Sequence, residues 1–247
     1  MSNASKVPAA TLAFWVVKIL ATTLGETGGD ALSMSAGFGY LLGTAVFAVV
    51  FLVAVAFQVR AKTYHPALYW TTVVATTTVG TTLADFADRS LGIGYLGGSL
   101  LLSGLLLASL VAWYRALGSV AIASVNTPRA EMHYWVTIMF SQTLGTALGD
   151  WTADDAGFGY LGSTAVFGGL LAMVAAGLLW RRCSRTALFW LAFVLTRPLG
   201  AVVGDFLDKP LAKGGLDLSR VGASLMLLLA MAGVLWLTHR RAMPPAT

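Results

Sequence analysis

Hydrophobic stretches alternate with short polar segments along the whole chain. In the first quarter, two such stretches cover about residues 14–33 and 40–58. A helix needs about 20 apolar residues to cross the hydrocarbon core of a bilayer, and each stretch is close to that length. The same alternation continues to the last residues. The pattern therefore predicts successive pairs of membrane-spanning helices with almost no soluble portion.

The chain consists of four copies of one two-helix unit. Each copy starts at a tryptophan, with a glycine ten residues later and an aspartate fifteen residues later. The tryptophans are Trp15, Trp70, Trp135 and Trp190. The first helix of a unit is predicted to run from the tryptophan past the aspartate, and the second from a Gly-Tyr pair to a group of basic residues. We place the repeats at residues 14–65, 69–118, 134–185 and 189–241, within a single transmembrane domain over residues 1–247.

A second level of repetition groups the units in pairs. Units one and three share the sequence AGFGYL, whereas units two and four share Asp-Phe-x-Asp. The tryptophans are 55, 65 and 55 residues apart. This indicates a two-unit half that is repeated once. The predicted fold is an all-α membrane protein with eight transmembrane helices and a pseudo-twofold axis along the membrane normal, as parallel repeats imply.

The four tryptophan-centred units resemble a bacterial membrane-protein family known only as a "repeat of unknown function". The resemblance covers the chain from Trp15 to about Arg241. It implies four tandem repeats with two transmembrane segments each, and it implies no activity. The fourth unit departs from the pattern through a longer loop, with Arg220 roughly where the tyrosine falls in the other units, so we expect the symmetry to be broken there.

Composition and charge placement support a membrane location. The chain is 57% hydrophobic and 11% charged, with a mean hydropathy of +0.76, whereas soluble domains carry about 25% charged residues. Basic residues collect on one side of the predicted spans, which is cytoplasmic by the positive-inside rule. They are Lys6, Arg60, Lys62, Arg115, Arg129, Arg181, Arg182, Arg185, Arg240 and Arg241. We therefore expect a multi-pass protein of the bacterial inner (cell) membrane with both termini in the cytoplasm, and no nucleic-acid partner.

The acidic residues concentrate at the opposite ends of the first helices. If each tryptophan marks the inner interface, an aspartate fifteen residues later lies about 22 Å along the helix, inside the outer part of the bilayer. In each unit a second acidic residue lies three or four residues before or after this aspartate, which places both on the same helix face. Either these carboxylates are wet and interfacial, or they converge in a polar cavity, which is the hypothesis we favour. The candidate residues are Glu26, Asp30, Asp85, Asp88, Asp150, Asp154, Asp205 and Asp208.

Clustered carboxylates require shared protons or a counter-charge. Supporting polar positions recur seven residues after each tryptophan, at Thr22, Thr77, Gln142 and Arg197. Arg197 is the internal cation that we expect to pair with Asp30 or Asp85. Lys18 is expected to extend to the cytoplasmic interface instead. These bases are too few for the acids, so a further positive charge is predicted among them.

A divalent metal ion meets that requirement, because carboxylate, hydroxyl and amide oxygens are hard ligands suited to Mn²⁺, Mg²⁺ or Ca²⁺. We expect the metal as a substrate, with no resident cofactor. The predicted function is a secondary transporter, an exporter by preference, coupled to protons, whose partners are the bilayer, metal ions and protons. A homodimer is a possible assembly. Glycines before the acids indicate either close helix packing or helix breaks at the site.

Three other functions remain open at this stage. A transporter of small organic cations would use aromatic residues beside the acids, at Phe86, Trp151 and Phe206. A non-transporting scaffold or sensor would use the repeats as architecture alone. An enzyme is disfavoured, because the sequence contains no recognisable nucleophile–base set or zinc-protease motif.

Overall fold

The computed structural model describes residues 5–179 and 183–242. Arg181 and Arg182, predicted at the basic end, lie outside these ranges. Within them the chain is helical, and each repeat contributes two long helices. The helices are α1 (Leu12–Asp30), α2 (Gly39–Arg60), α3 (Pro66–Asp85), α4 (Tyr95–Leu117), α5 (Pro128–Asp150), α6 (Gly159–Gly177), α7 (Arg185–Asp208) and α8 (Arg220–Ala242).

The turn between the two helices of a unit explains the Gly-x-Gly-Tyr motif. In the first three units, one π-helical turn follows the aspartate, and two glycines with positive φ then reverse the chain. In the first unit these are Gly37 and Gly39, with φ of 74° and 72°. Glycine adopts this left-handed conformation at little cost, whereas a side chain would be strained. The motif therefore indicates a tight turn at the acidic end of each of the first three units.

The four first helices form a closed ring. We call α1, α3, α5 and α7 the inner helices and the other four the outer helices. The inner helices pack in chain order, and α7 returns to contact α1. Each outer helix packs on the inner helix of the next unit: α2 on α3, α4 on α5, α6 on α7, and α8 on α1. The outer helix of each unit thus covers the inner helix of the following unit, and the outer helix of the fourth unit covers the inner helix of the first.

Glycines set the spacing of the inner helices. A methyl group added to Gly25 would overlap Thr77 of the next inner helix, and one added to Gly200 would overlap Thr22. The same contact recurs between Gly80 and Gln142, and between Gly145 and Arg197. Of the two roles expected for these glycines, close packing is the one the structure displays.

Five helices in the described chain are long and apolar enough to cross a membrane: α2, α4, α6, α7 and residues 220–238 of α8. The outer helices carry large exposed apolar side chains along their length, as at Leu52, Leu100 and Leu229. Such faces are typical of helices that contact lipid. The inner helices α1, α3 and α5 fall outside this set because threonine, glycine and carboxylate residues face their neighbours.

Aromatic residues close the ring at the basic end. Phe14, Tyr69, Tyr134 and Phe189, which precede the four tryptophans, are all buried there. The hydroxyl oxygens of Tyr69 and Tyr134 are 2.7 Å apart. Trp70, Trp135 and Trp190 are at most 6% exposed. These three tryptophans therefore belong to the core at the basic end of the ring, and their depth in a bilayer stays a prediction.

Candidate ion-binding site

Four buried aspartates meet at the end of the ring opposite the aromatic residues. Each inner helix contributes one of them, fifteen residues after its tryptophan, and each is at most 3% exposed. We call Asp30, Asp85, Asp150 and Asp205 the aspartate ring. Equivalent positions on helices that pack in a closed ring bring these side chains to one level, and shared cations connect them.

Arg89 joins the aspartates of the second and third units. Its Nε is 3.0 Å from Asp85 Oδ1, and its Nη2 is 3.0 Å from Asp150 Oδ2. The guanidinium also donates to the hydroxyls of Tyr40, at 3.1 Å, and Tyr95, at 2.9 Å. The tyrosines of the Gly-Tyr pairs thus hold the arginine in place between two carboxylates.

Lys209 makes the corresponding connection between the fourth and first units. Its Nζ lies 2.6 Å from Asp30 Oδ2, 3.0 Å from Asp205 Oδ1 and 4.0 Å from Asp208 Oδ1. Lys209 follows Asp205 by four residues, as Arg89 follows Asp85. Because equivalent positions in units two and four carry the bridging cations, this end of the ring repeats by halves.

Arg220 completes the fourth unit. It occupies the place of the missing tyrosine, and its Nε is 3.0 Å from Asp208 Oδ2 and 3.8 Å from Asp30 Oδ2. The longer fourth loop therefore exchanges a neutral hydroxyl for a second cation beside Lys209. The two halves differ in this respect.

Three carboxylates in the fourth and first units could together hold a metal ion. One oxygen each from Asp30, Asp205 and Asp208 lies within 4.8 Å of the others, and all three residues are buried. We call them the carboxyl triad. A cavity of about 390 Å³ reaches the triad, with Asp205 and Lys209 in its wall. Oxygen ligands at this spacing suit Mn²⁺, Mg²⁺ or Ca²⁺, and the Lys209 ammonium occupies the same neighbourhood.

The two remaining predicted aspartates lie apart from the ring. Asp154 is exposed and lines the cavity. Asp88 is 6% exposed and packs against Gly98, and neither of its carboxylate oxygens has a hydrogen-bond partner among the described residues. Burial raises the pKa of Asp88 to about 6, against the opposing effect of the Arg89 guanidinium. The Asp88 carboxyl group is therefore half protonated near pH 6.

Glu26 lies one helical turn deeper than the ring and pairs with Arg197. Arg197 Nη2 donates to Glu26 Oε2 at 2.9 Å, to Thr81 Oγ1 at 2.7 Å, and to Thr146 Oγ1. The expectation that Arg197 pairs with Asp30 or Asp85 was wrong. Arg197 starts two turns below the ring aspartate of its own helix, so its side chain reaches the level of Glu26 first.

The other supporting positions hold helices together. Thr22 Oγ1 donates to the carbonyl of Thr196 at 3.2 Å, and Thr77 Oγ1 donates to the carbonyl of Ala21, also at 3.2 Å. Gln142 is fully buried against Gly80. None of the three lines the aspartate ring.

Lys18 is buried, contrary to the expectation that it extends to the interface. Its side chain has no exposed surface, and its Nζ lies 4.1 Å from the centroid of the Phe193 ring. Within the described chain this ammonium has no hydrogen-bond acceptor. Packing of α7 against α1 covers the lysine before its side chain can reach the helix end.

Arg89 and Lys209 were not predicted as partners of the acids, and Arg220 was noted only as a departure from the repeat pattern. These cations lie at the acidic end, where the positive-inside rule predicts few basic residues. Alignment of the repeats could have identified the first two, because each follows a ring aspartate by four residues. Together with Arg197, these residues give four cations against the eight predicted acids, so the predicted excess of acids is reduced but not removed.

The geometry defines a class of protein: a closed ring of tandem two-helix units, with outer faces suited to lipid and a buried cluster of ion pairs at one end. The chain belongs to the family described as "Repeat of Unknown Function (DUF347)", whose sequence model matches residues 13–64, 68–118, 133–184 and 188–243. No curated protein and no solved structure gives a significant match to the chain.

Proposed function

We propose that the protein is a secondary transporter of a divalent metal cation such as Mn²⁺, and that it works as an exporter coupled to protons. In this proposal all eight long helices cross the bacterial inner membrane, both termini are cytoplasmic, and a pseudo-twofold axis runs along the membrane normal. The five apolar helices and the placement of most basic residues at the opposite end from the aspartate ring support this arrangement.

The carboxyl triad is the observation that carries the proposal. Its three oxygens lie at metal-ligand spacing, at the wall of a cavity, and they come from both ends of the chain. A buried carboxylate is costly without a positive partner. Here that partner is Lys209, a cation on a flexible stem, which a free metal ion can replace. Asp30 and Asp205 would then exchange the singly charged ammonium for a doubly charged metal ion, which raises the charge at the triad by one.

Lys209 therefore acts as a tethered counter-ion in this mechanism. When the metal enters the triad, the ammonium moves into the cavity; when the metal leaves, the ammonium returns and keeps the carboxylates neutralised. Ligating carboxylates must be deprotonated, so metal binding releases any protons they carry. Competition between metal, proton and lysine at one site would couple metal binding to proton release.

The ring below the triad is closed, so transport requires rearrangement of the inner helices. The Glu26–Arg197 pair blocks the axis one turn below the aspartates, and the aromatic residues block it at the basic end. The ion pairs made by Arg89 and Lys209 connect neighbouring units at the opposite end. Opening of either end would separate units, as alternating access demands.

Two observations favour other functions. Because Arg89, Lys209 and Arg220 neutralise much of the acidic cluster, the ion pairs could also serve a scaffold by clamping four units together. The Arg89 guanidinium lies 5.9 Å and 5.6 Å from the ring centroids of Tyr40 and Tyr95. This arrangement of tyrosines and carboxylates around a guanidinium supports organic cations as the alternative substrate.

Flux measurements in proteoliposomes distinguish these functions. We expect wild-type protein to carry Mn²⁺ to an enclosed metal-sensitive dye, and Asp205→Asn to abolish that flux. Asp155→Asn is the matched control, because Asp155 is exposed and outside the triad. Flux of a guanidinium or quaternary ammonium probe without Mn²⁺ flux would favour the organic-cation function. Absence of any flux in wild-type vesicles would favour the non-transporting scaffold.

A further inference from the structure

The cavity at the acidic end is bordered by one equivalent position from each of the four units. Each of these residues follows a ring aspartate by four positions, and each lines the cavity. The residues are Met34, Arg89, Asp154 and Lys209. The second and fourth units thus place a cation in the wall, the first unit a thioether and the third a carboxylate. Side chains from all four units therefore face one shared space.

Lys209 is held by fewer kinds of contact than Arg89, its equivalent in the second unit. Arg89 donates to two ring aspartates and to the hydroxyls of Tyr40 and Tyr95. Among the described residues, Lys209 Nζ contacts carboxylates alone. A lysine ammonium is a compact charge on a flexible four-carbon stem, whereas a guanidinium is held by its fixed planar geometry. Lys209 is therefore the bridging cation that can turn away from its aspartates into the cavity.

Asp154 is the carboxylate of the cavity wall that no cation occupies. Two carboxylates line the cavity, Asp205 and Asp154. Asp205 pairs with Lys209, whereas Asp154 is exposed and forms no ion pair within the described chain, not even with Lys213, an exposed cation of the same wall. The charges of Asp205, Asp154 and Lys209 all act on the hydroxyl of Tyr160, which also lines the cavity. These groups therefore lie in one part of the cavity.

We propose that Asp154 is the second docking position of the Lys209 ammonium, which moves there when a metal ion fills the carboxyl triad. This inference rests on the proposed function and identifies the residue that receives the displaced charge. An ammonium that leaves Asp30 and Asp205 finds Asp154 as the remaining carboxylate in the cavity wall. Asp154 is a positioning residue in this step: it acts on metal binding through Lys209 and does not touch the metal.

Docking of Lys209 can be distinguished from attraction of the metal through space. In wild type, metal binding replaces one positive charge at the triad by two, whereas in Lys209→Met it adds two. If Asp154 only attracts charge at a distance, its removal should weaken metal binding more in the Lys209→Met background. If Asp154 docks the ammonium, its removal should weaken binding in wild type and hardly affect a variant that has no ammonium to displace.

A double-mutant cycle with Mn²⁺ as the probe tests the proposal. Affinities are measured by loss of the free-ion paramagnetic resonance signal in wild type, Asp154→Asn, Lys209→Met and the double variant. We expect Asp154→Asn to weaken Mn²⁺ binding about threefold in wild type, the size of one exposed ion pair, and to leave the affinity of Lys209→Met nearly unchanged. Asp154→Glu should keep the wild-type affinity, because it retains the carboxylate.

Asp155→Asn is the matched control, because Asp155 is the neighbouring exposed carboxylate and does not line the cavity. It should leave the affinity unchanged in both backgrounds. An equal or larger loss for Asp154→Asn in the Lys209→Met background, or no loss in wild type, overturns the docking of Lys209 on Asp154 while metal binding stands. Absence of Mn²⁺ binding by both wild type and Lys209→Met overturns the metal proposal, and this inference with it.

Discussion

Replacement of Arg197 by methionine tests whether the ring interior depends on one buried ion pair. Methionine retains an unbranched stem against Gly145 but removes the guanidinium, which is fully buried. Glu26, 3% exposed, would keep only hydroxyl contacts from Thr81 and Thr146. Loss of one partner from a buried pair costs about 3–5 kcal/mol, because the remaining charge stays buried. We expect Arg197→Met to lower the free energy of unfolding by that amount.

The measurement is equilibrium unfolding of the purified protein in mixed micelles, followed by helicity. Glu26→Gln alone should also destabilise, and the double variant Glu26→Gln with Arg197→Met should recover most of the loss, since neither charge is then isolated. A loss below about 1 kcal/mol for Arg197→Met would refute the reasoning. So would a double variant whose loss equals the sum of the single losses, because the two residues would then be uncoupled.

Two further predictions concern packing and protonation. Gly25→Ala should destabilise by about 1–3 kcal/mol through overlap with Thr77, whereas Gly168→Ala, at an open helical position, should be neutral or stabilising in the same unfolding assay. Because burial raises the pKa of Asp88 from 3.8 to about 6, the folded protein loses stability as the pH rises from about 4 to 6, and the loss is complete above pH 6. Asp88→Asn should therefore raise the Tm relative to wild type at pH 8 and leave it nearly unchanged at about pH 3.5, and an equal effect at both values would contradict the assignment.

The repeat unit could be predicted from the sequence because it depends on short-range sequence patterns. Hydrophobic stretches of helical length and a recurring Trp, Gly and Asp define two helices per unit without reference to tertiary contacts. The packing order could not be predicted in the same way. That α2 covers α3 of the next unit, and that α8 closes onto α1, depends on which surfaces fit together in three dimensions.

The candidate site shows the same division. The four ring aspartates follow from one fixed offset along the repeats, so the sequence identifies them together. The cations that pair with these aspartates could not be identified in this way. Arg89 and Lys209 lie in the turns after the inner helices, where a charged residue ordinarily faces solvent. Lys18 was misjudged for the related reason that a lysine near a helix end usually reaches water, and here neighbouring helices cover it.

The central claim is that Lys209 occupies a cation site formed by Asp30, Asp205 and Asp208. Titration of Mn²⁺ into purified protein, followed by the loss of the free-ion paramagnetic resonance signal, tests it most directly when wild type is compared with Lys209→Met. We expect the variant to bind one Mn²⁺ per chain at least tenfold more tightly than wild type, because the tethered competitor is gone. Equal or weaker binding by the variant, or no binding by either protein, would contradict it.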